Sequence, residues 1–207
     1  MKFLYLILLF SPIIISHQKT TITVLYESLC PDSEDTIFRL YTSYEDSDKD
    51  NIQLEFVPYG KANHTLESGR WQFTCQHFRE ECDLNKYHAC GLKYINGQND
   101  QLNFVRCMMT NVLGTIDENT VKECSHKVKT SFDKIQQCFN SDEGTALMVT
   151  YGNHTNRYKP LDNVPTILYN NTFHEGLQEN ARDDPIATIN HIKNTKKPIK
   201  DVNKGFQ

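Results

Sequence analysis

Two strand-like stretches flank a helical pattern near the start of the chain. Thr21–Tyr26 is β-branched and apolar, and Asn51–Val57 alternates between apolar and polar residues, as strands do. Between them Pro31 stands at a first helical position with acidic residues in the following turn. The apolar side chains that then recur at helical spacing are Ile37, Phe38, Leu40, Tyr41 and Tyr44. This order predicts two parallel neighbouring strands joined by a right-handed helical crossover.

The rest of the chain changes from helical patterns back to strands. Cys75–Cys138 contains short helical patterns, and Val121–Phe139 is the clearest of them, so we predict a helical insertion at about residues 75–140. Val164–Tyr169 reads as a strand that opens with a proline, and Thr172–His174 begins a return strand. Asp183–Lys193 has the pattern of a final amphipathic helix. The order of elements predicts an α/β fold.

The first residues have the pattern of a secretory signal peptide. Lys2 is followed by an apolar run over Phe3–Ile15, which is shorter than the roughly 20 residues that a spanning helix needs. We predict a signal peptide at residues 1–18, cleaved between Ser16 and Lys19, and one mature domain at 19–207. A buried first strand or an uncleaved anchor is the alternative. No later stretch is apolar enough to predict a membrane span.

Three asparagines fit the acceptor pattern for N-glycosylation. Asn63, Asn153 and Asn170 each have a threonine two residues later and no proline between. Together with the signal pattern they predict a glycoprotein of the secretory pathway that is secreted or lysosomal. Such a compartment permits disulfide bonds.

Composition limits the class of protein further. The chain has 207 residues, is 38% hydrophobic and carries a formal net charge of −4. The length fits one globular domain with an insertion, and the negative charge gives no footprint for nucleic acid. Low glycine and proline content, 9 and 7 residues, excludes collagen-like and low-complexity chains.

Cys30 stands where the first strand meets the first helix. Free amides and the positive end of the helix dipole stabilise a thiolate at such a position, and a thiolate is the species that attacks a disulfide. In the thioredoxin arrangement a late hairpin places a cis-proline beside the active thiol. Val164-Pro165 is the candidate for that loop, although the sequence leaves its cis or trans state open.

The stretch from residue 75 to residue 90 carries a more specific resemblance. It fits the signature C-Q-H-G-x-x-E-C-x-x-N-x-x-x-x-C at all but one of the fixed positions. In this signature the chain resembles the gamma-interferon-inducible lysosomal thiol reductase family. The signal pattern, the segment Tyr26–Cys30, the sequons and the late Val-Pro strand also resemble that family. The matching signature positions are Cys75, Gln76, His77, Glu81, Cys82, Asn85 and Cys90.

The resemblance implies a fold, a reaction and its residues. The fold would be thioredoxin-like with a helical, disulfide-rich insertion. The activity would be that of a thiol–disulfide oxidoreductase that opens disulfides in protein substrates, often at acidic pH, without a bound cofactor. Cys30 would attack the substrate, and Pro165 would shape the substrate groove.

Two residues depart from the family pattern. Phe78 replaces the glycine of the signature, so the local turn is expected to differ. Ser33 stands where C-x-x-C has its second cysteine, and a serine cannot resolve a mixed disulfide. Ser33 can still donate a hydrogen bond to the Cys30 thiolate. Turnover would then depend on an external thiol such as glutathione or cysteine.

Ser33 also keeps other functions open. The alternative is a secreted binding or interaction protein on the same scaffold with weak or lost redox activity. A third function, intermediate between a reductase and a binding protein, is that of a disulfide isomerase or of a trap that retains its mixed disulfide. Cys30 as a structural thiol, free or intermolecular, is the remaining interpretation.

The cysteine count of seven sets Cys30 apart from the others. Three disulfides in any of 15 connectivities can join the remaining six, which are Cys75, Cys82, Cys90, Cys107, Cys124 and Cys138. A zinc site built from Cys75, His77, Cys82 and Cys90 is disfavoured by its spacing and by an oxidising compartment, so we assign no metal ligands. His77 is expected to cap or pack the insertion, and Trp71 to lie in or near the core.

Overall fold

A four-stranded mixed sheet is the frame of the molecule. The structure is a computed structural model that describes residues 19–110 and 118–194. Across the sheet the strands lie in the order β2 (Ile52–Pro58), β1 (Thr20–Tyr26), β5 (Thr166–Tyr169) and β6 (Thr172–Phe173). β1 pairs with β2 in parallel and with β5 antiparallel, which confirms the predicted crossover and the late hairpin.

Each face of this sheet buries its own core. One face packs against α1 (Pro31–Glu45), α3 (Gln98–Thr110) and α8 (Pro185–Asn194) through alternate strand residues such as Ile22 and Val24. Residues of the opposite parity on the strands face the other core, whose buried side chains are Leu25, Val57, Leu161, Val164 and Leu168. This alternation follows from the period of two along a strand. Burying each large aliphatic side chain contributes roughly 1.5–3 kcal/mol.

The apolar face of α1 is narrower than the sequence pattern suggests. Ile37, Leu40 and Tyr44 are fully buried, but Phe38 is 52% exposed. Phe38 follows Ile37 directly, and a helix turns about 100° per residue, so its side chain leaves the stripe that packs on the sheet.

The predicted helical insertion is a bundle of short helices. It comprises α2 (Phe78–Tyr94), α3, α4 (Glu118–Lys127) and α5 (Phe132–Phe139). The helical region continues beyond the predicted end at about residue 140 into α6 (Asp142–Asn156). The prediction of a single helical pattern over 121–139 was wrong. Lys129 takes a φ of 54°, and Ser131 caps α5 by accepting a hydrogen bond from Lys134 N.

Three disulfides lie within this helical region. They join Cys75 to Cys82, Cys90 to Cys138, and Cys107 to Cys124. These pairs leave no cysteine for the zinc site considered from the sequence. The Cys90–Cys138 bond connects α2 to the end of α5 across 48 residues of chain, and both of its cysteines are fully buried.

A separate hairpin between β2 and α2 was not predicted. β3 (Asn63–Glu67) and β4 (Arg70–Thr74) pair antiparallel around Ser68 and Gly69, both of which have positive φ. The Ser-Gly dipeptide was the available turn signal. Trp71 lies on this hairpin and is 39% exposed, so its expected place in or near the core was wrong.

The C-terminal part contains two helices where one was expected. α7 (Gln178–Asp183) precedes α8, which begins at Pro185. Asp184 separates them because its carboxylate accepts hydrogen bonds from the Ile186 and Ala187 amides, which is the behaviour of a helix N-cap.

The predicted signal peptide at 1–18 lies outside the described residues. In the ranges that the structure describes, no helix combines the length and the apolar character needed to cross a bilayer.

Candidate active site

Cys30 occupies the N-cap of α1 and is the one cysteine of the described chain outside a disulfide. Its backbone is extended, with φ −80° and ψ 121°, and Pro31 follows as the first helical residue. Its carbonyl accepts the Glu34 amide at 3.1 Å, which starts the helical ladder. The side chain is partly exposed. The thiol therefore stands at the positive end of a 15-residue helix with a path to solvent.

The loop before β5 lies directly beside this thiol. The Val164-Pro165 peptide bond is cis, and Cys30 Sγ donates to the Val164 carbonyl oxygen at 3.5 Å. Pro165 itself is buried. The structure thus brings together Cys30 and the proline loop, which are more than 130 residues apart in the sequence.

Ser33 lies one turn along α1 and is fully buried. Its hydroxyl oxygen accepts a hydrogen bond from the Glu27 amide at 3.4 Å. Among the hydrogen bonds of residues 19–110 there is none between Ser33 and Cys30, so the expected bond to the sulfur is not formed in this state. The loop amide takes its place as the partner of Ser33.

The loop between β1 and α1 is anchored on α2. Ser28 N donates to Asn85 Oδ1 at 3.0 Å, and Ser28 Oγ donates to the Glu81 carbonyl at 3.3 Å. Leu29 packs against the core of the helical region. Two residues of the signature, Glu81 and Asn85, therefore position the loop that carries Cys30, a role that the sequence analysis did not assign.

Glu27 is a buried carboxylate three residues before Cys30, and the sequence analysis missed it. Its Oε1 accepts the Lys61 amide at 2.6 Å, while its Oε2 is buried without a hydrogen-bond partner. Gly60 makes room for it, since a Cβ at that position would lie 2.3 Å from Glu27 Cγ, and its φ is +54°. Burial and then the charge of Glu81 raise the pKa of Glu27 to about 7.

His77 and Glu81 complete a cluster around this carboxylate. His77 Nδ1 lies 2.5 Å from Glu81 Oε2 and 3.8 Å from Glu27 Oε2. The other oxygen of Glu81 accepts the Gln76 and His77 amides at 3.0 and 3.4 Å. The expectation that His77 caps or packs the insertion was incomplete. It precedes α2 without a side-chain cap bond and pairs with buried acid instead.

Phe78 begins α2 with a φ of 65° and an 81% exposed side chain. Positive φ is the region that glycine adopts freely. Phe78 therefore adopts a backbone conformation that the glycine of the signature would adopt at a lower conformational free energy.

The three predicted glycosylation asparagines are exposed. Asn63 opens β3, Asn153 lies on α6, and Asn170 lies in the turn between β5 and β6. Asn63 Oδ1 accepts from Lys159 Nζ at 2.9 Å, and Asn170 Oδ1 accepts from the Thr21 amide at 2.9 Å.

Comparison with known sequences points in one direction. A family model described as gamma interferon inducible lysosomal thiol reductase matches residues 21–128. A gamma-interferon-inducible lysosomal thiol reductase-like protein of Anopheles gambiae is 33% identical over 86% of this chain and 78% of its own length. GILT-like protein 1 of Drosophila melanogaster is 34% identical over 84% of this chain and 75% of its own length.

Comparison with solved structures supports the fold. BdbD from Bacillus subtilis superposes with a TM-score of 0.59 at 12% identity, covering 83% of this chain and 86% of that one. DsbA from Chlamydia trachomatis gives a TM-score of 0.59 at 14% identity, covering 85% of this chain and 87% of that one. The expected thioredoxin-like fold with a helical, disulfide-rich segment is confirmed.

Proposed function

Because the chain belongs to the gamma interferon inducible lysosomal thiol reductase family and is thus a thiol–disulfide oxidoreductase, we propose that Cys30 is the residue that attacks substrate. The observation that carries the proposal is the free thiol at the N-cap of a helix, next to the Val164 carbonyl. The thiol stands at the positive end of the helix dipole, and a thiolate is the species that attacks a disulfide.

The first step is a thiol–disulfide exchange. The Cys30 thiolate attacks one sulfur of a substrate disulfide, a new S–S bond forms between Cys30 and that sulfur, and the second substrate sulfur leaves as a thiolate. The Val164 backbone beside Cys30 offers an edge along which an extended substrate segment can lie. Disulfide-containing proteins are the substrates that the family's activity implies.

The second step requires a thiol that α1 does not supply. Ser33 has no sulfur, and the other six cysteines are in disulfides. We propose that an external thiol such as glutathione or cysteine attacks the mixed disulfide. A first external thiolate attacks one sulfur of the mixed disulfide, forms a new disulfide with it and expels the other sulfur as a thiolate. A second external thiol then attacks that new disulfide and releases the disulfide of the two small thiols. In sum, two small thiols are oxidised to one disulfide while one substrate disulfide becomes two thiols.

The compartment belongs to the same proposal. The signal pattern and the exposed acceptor asparagines support a glycoprotein of the secretory pathway, secreted or lysosomal. Expression in a eukaryotic secretory system should yield a chain shortened by its first 16 to 20 residues, with glycans on one or more of Asn63, Asn153 and Asn170. A product that retains Met1 and loses no mass on deglycosylation would contradict this part.

The mechanism is tested by measuring substrate reduction first in a single turnover and then over many turnovers. The purified protein is mixed with a disulfide-bonded protein substrate, first without and then with glutathione. We expect a Cys30 adduct without glutathione and repeated reduction with it, whereas Cys30→Ala should do neither. Adduct formation is read by mass spectrometry under non-reducing conditions.

Ser33 is the observation that favours the second candidate, a binding protein without redox turnover. The same experiment separates the two. A wild-type protein that binds the substrate but never forms the adduct, with or without glutathione, would support binding alone.

A further inference from the structure

Two buried carboxylates and a histidine converge beside the loop that carries Cys30. Glu27 and Glu81 are both fully buried, and His77 is 38% exposed. Each of the three residues offers one ligand atom, and these three atoms all lie within 4.8 Å of one another. Glu27 comes from the end of β1, whereas the other two residues flank the start of α2, so tertiary packing alone brings the three together.

The second oxygen of each carboxylate is held by backbone amides. Glu27 Oε1 accepts from Lys61 N, and Glu81 Oε1 accepts from the Gln76 and His77 amides. These bonds fix the two carboxylates so that their remaining oxygens face His77 Nδ1. Supporting hydrogen bonds of this kind orient the ligands of metal sites.

Within the described residues, His77 is the one basic side chain that pairs with the two carboxylates, and its Nδ1 would have to give up a proton to become a metal ligand. Lys61 Nζ donates to the Asp162 carbonyl, and Lys159 Nζ donates to Ala62 O and Asn63 Oδ1. Within the described ranges, neither carboxylate forms an ion pair with a lysine or arginine, and Glu27 Oε2 is buried without a hydrogen bond. Buried carboxylates are ordinarily paired or bound to metal.

From this geometry we infer that Glu27, His77 and Glu81 form a binding site for a divalent transition metal, with Zn²⁺ as the ion that fits best. One nitrogen and two carboxylate oxygens are zinc ligands, and three protein ligands with one open position are a common zinc arrangement. Tetrahedral ligands at zinc distances lie about 3.4 Å apart. The measured separations of 2.5 and 3.8 Å from His77 Nδ1 are within about 1 Å of that value.

The site would have its own route of entry and its own structural effect. Half-exposed His77 opens the cluster to solvent, while the buried carboxylates form its floor. A bound ion would join the end of β1 to the start of α2, and would thereby clamp the loop that Ser28 already fastens to α2. The inference departs from the sequence analysis, which assigned no metal ligands. It does not rest on the proposed reaction, because Cys30 is not one of the ligands.

Zinc titration of the full, tag-free chain tests the site. After chelator treatment, Zn²⁺ is added at neutral pH in competition with a chromophoric chelator. We expect one ion per chain, and an affinity that falls at least about tenfold in His77→Gln and in Glu27→Gln. The matched control is His126→Gln, which changes an exposed histidine on α4 and should bind zinc like the wild type.

Two further measurements keep the result unambiguous. Cys30→Ala should bind zinc like the wild type, and Co²⁺ substitution should give a tetrahedral spectrum without a thiolate charge-transfer band. Circular dichroism checks that each variant is folded, and the wild-type titration remains decisive if one variant is not. Absence of binding at micromolar Zn²⁺, wild-type affinity in both ligand variants, or loss of binding in Cys30→Ala would each overturn the inference.

Discussion

The amide of Ser28 donates a 3.0 Å hydrogen bond to Oδ1 of Asn85, and this buried bond connects the Cys30 loop to α2. Ser28 is two residues before Cys30, so the helical region contributes directly to the position of the thiol. The arrangement makes α2 a support of the Cys30 loop as well as part of the disulfide-rich segment.

Asn85→Ala should therefore weaken both stability and attack. It leaves the buried Ser28 amide without its partner, which costs about 1–3 kcal/mol of unfolding free energy. We expect slower formation of the Cys30 adduct as well, measured by quenched mass spectrometry. Ser28→Ala is the matched control, since it removes only the bond to the Glu81 carbonyl and keeps the amide bond. Equal effects of the two variants would contradict a special role for Asn85.

Ser33→Cys should reduce the need for an external thiol. Position 33 is fully buried one turn from Cys30, where a sulfur can attack the mixed disulfide without leaving the helix. We expect turnover at lower glutathione and less trapped adduct, measured by substrate reduction over a glutathione series. Ser33→Ala is the control and should need as much glutathione as the wild type, although it also removes the acceptor of the Glu27 amide. A wild-type protein that turns over without any small thiol would show that another sulfur resolves the intermediate.

The disulfides should differ in their contribution to stability. In the chain-entropy description the contribution grows with the length of the closed loop. Cys90–Cys138, with a separation of 48 residues, should contribute about 4 kcal/mol, and Cys75–Cys82, with a separation of 7, about 2 kcal/mol. Chemical unfolding of the two double alanine variants measures this order. A larger loss from the shorter loop would refute it.

His88 should make the fold less stable in acid. It is fully buried, shares a 2.8 Å hydrogen bond with Tyr26 Oη, and its pKa is lowered to about 3 by burial. In the unfolded chain this histidine binds a proton near pH 6.5, whereas in the folded chain it stays neutral down to about pH 3. The free energy of unfolding therefore falls as the pH drops from about 6.5 to about 3.

Between about pH 7 and pH 5 this histidine should account for a loss of about 2 kcal/mol. His88→Asn removes the titration and keeps a polar partner for Tyr26, so its unfolding free energy should change less over the same interval. The comparison variant is His126→Asn, on an exposed residue, which should lose as much stability as the wild type. Urea unfolding of the wild type and of both variants at pH 7 and pH 5 measures these changes in unfolding free energy.

Phe78→Gly should raise stability slightly. A positive φ costs a non-glycine residue about 1–2 kcal/mol, whereas glycine increases the entropy of the unfolded chain by about 0.4–1 kcal/mol. Because Phe78 is 81% exposed, little packing is lost, and a net gain of about 0.5–1 kcal/mol is expected. Phe78→Ala keeps the positive φ and should give no such gain in thermal unfolding.

The sequence predicted those parts of the molecule that depend on local patterns. Cys30 at a helix start and the strand that follows Pro165 were predicted from periodicity and from proline placement. The break between α4 and α5 did not, because apolar spacing continued in phase across the turn at Lys129. Glu27 is at least 50 residues away from His77 and Glu81 in the sequence, so no local pattern indicates that the three lie together. The Asn85 anchor was visible only as a position in a signature, without its partner.

Burial of the disulfides has a consequence for the environment in which the protein can work. The reductant proposed for this protein is a small thiol, and a small thiol also opens S–S bonds in proteins. Exchange requires a thiolate to reach a sulfur along the S–S axis, and Cys90, Cys138 and Cys124 are at most 1% exposed. Cys75 is partly exposed and lines a surface groove together with Cys82. Burial therefore protects Cys90–Cys138 from small thiols, and Cys75–Cys82 is the disulfide that we expect them to open first.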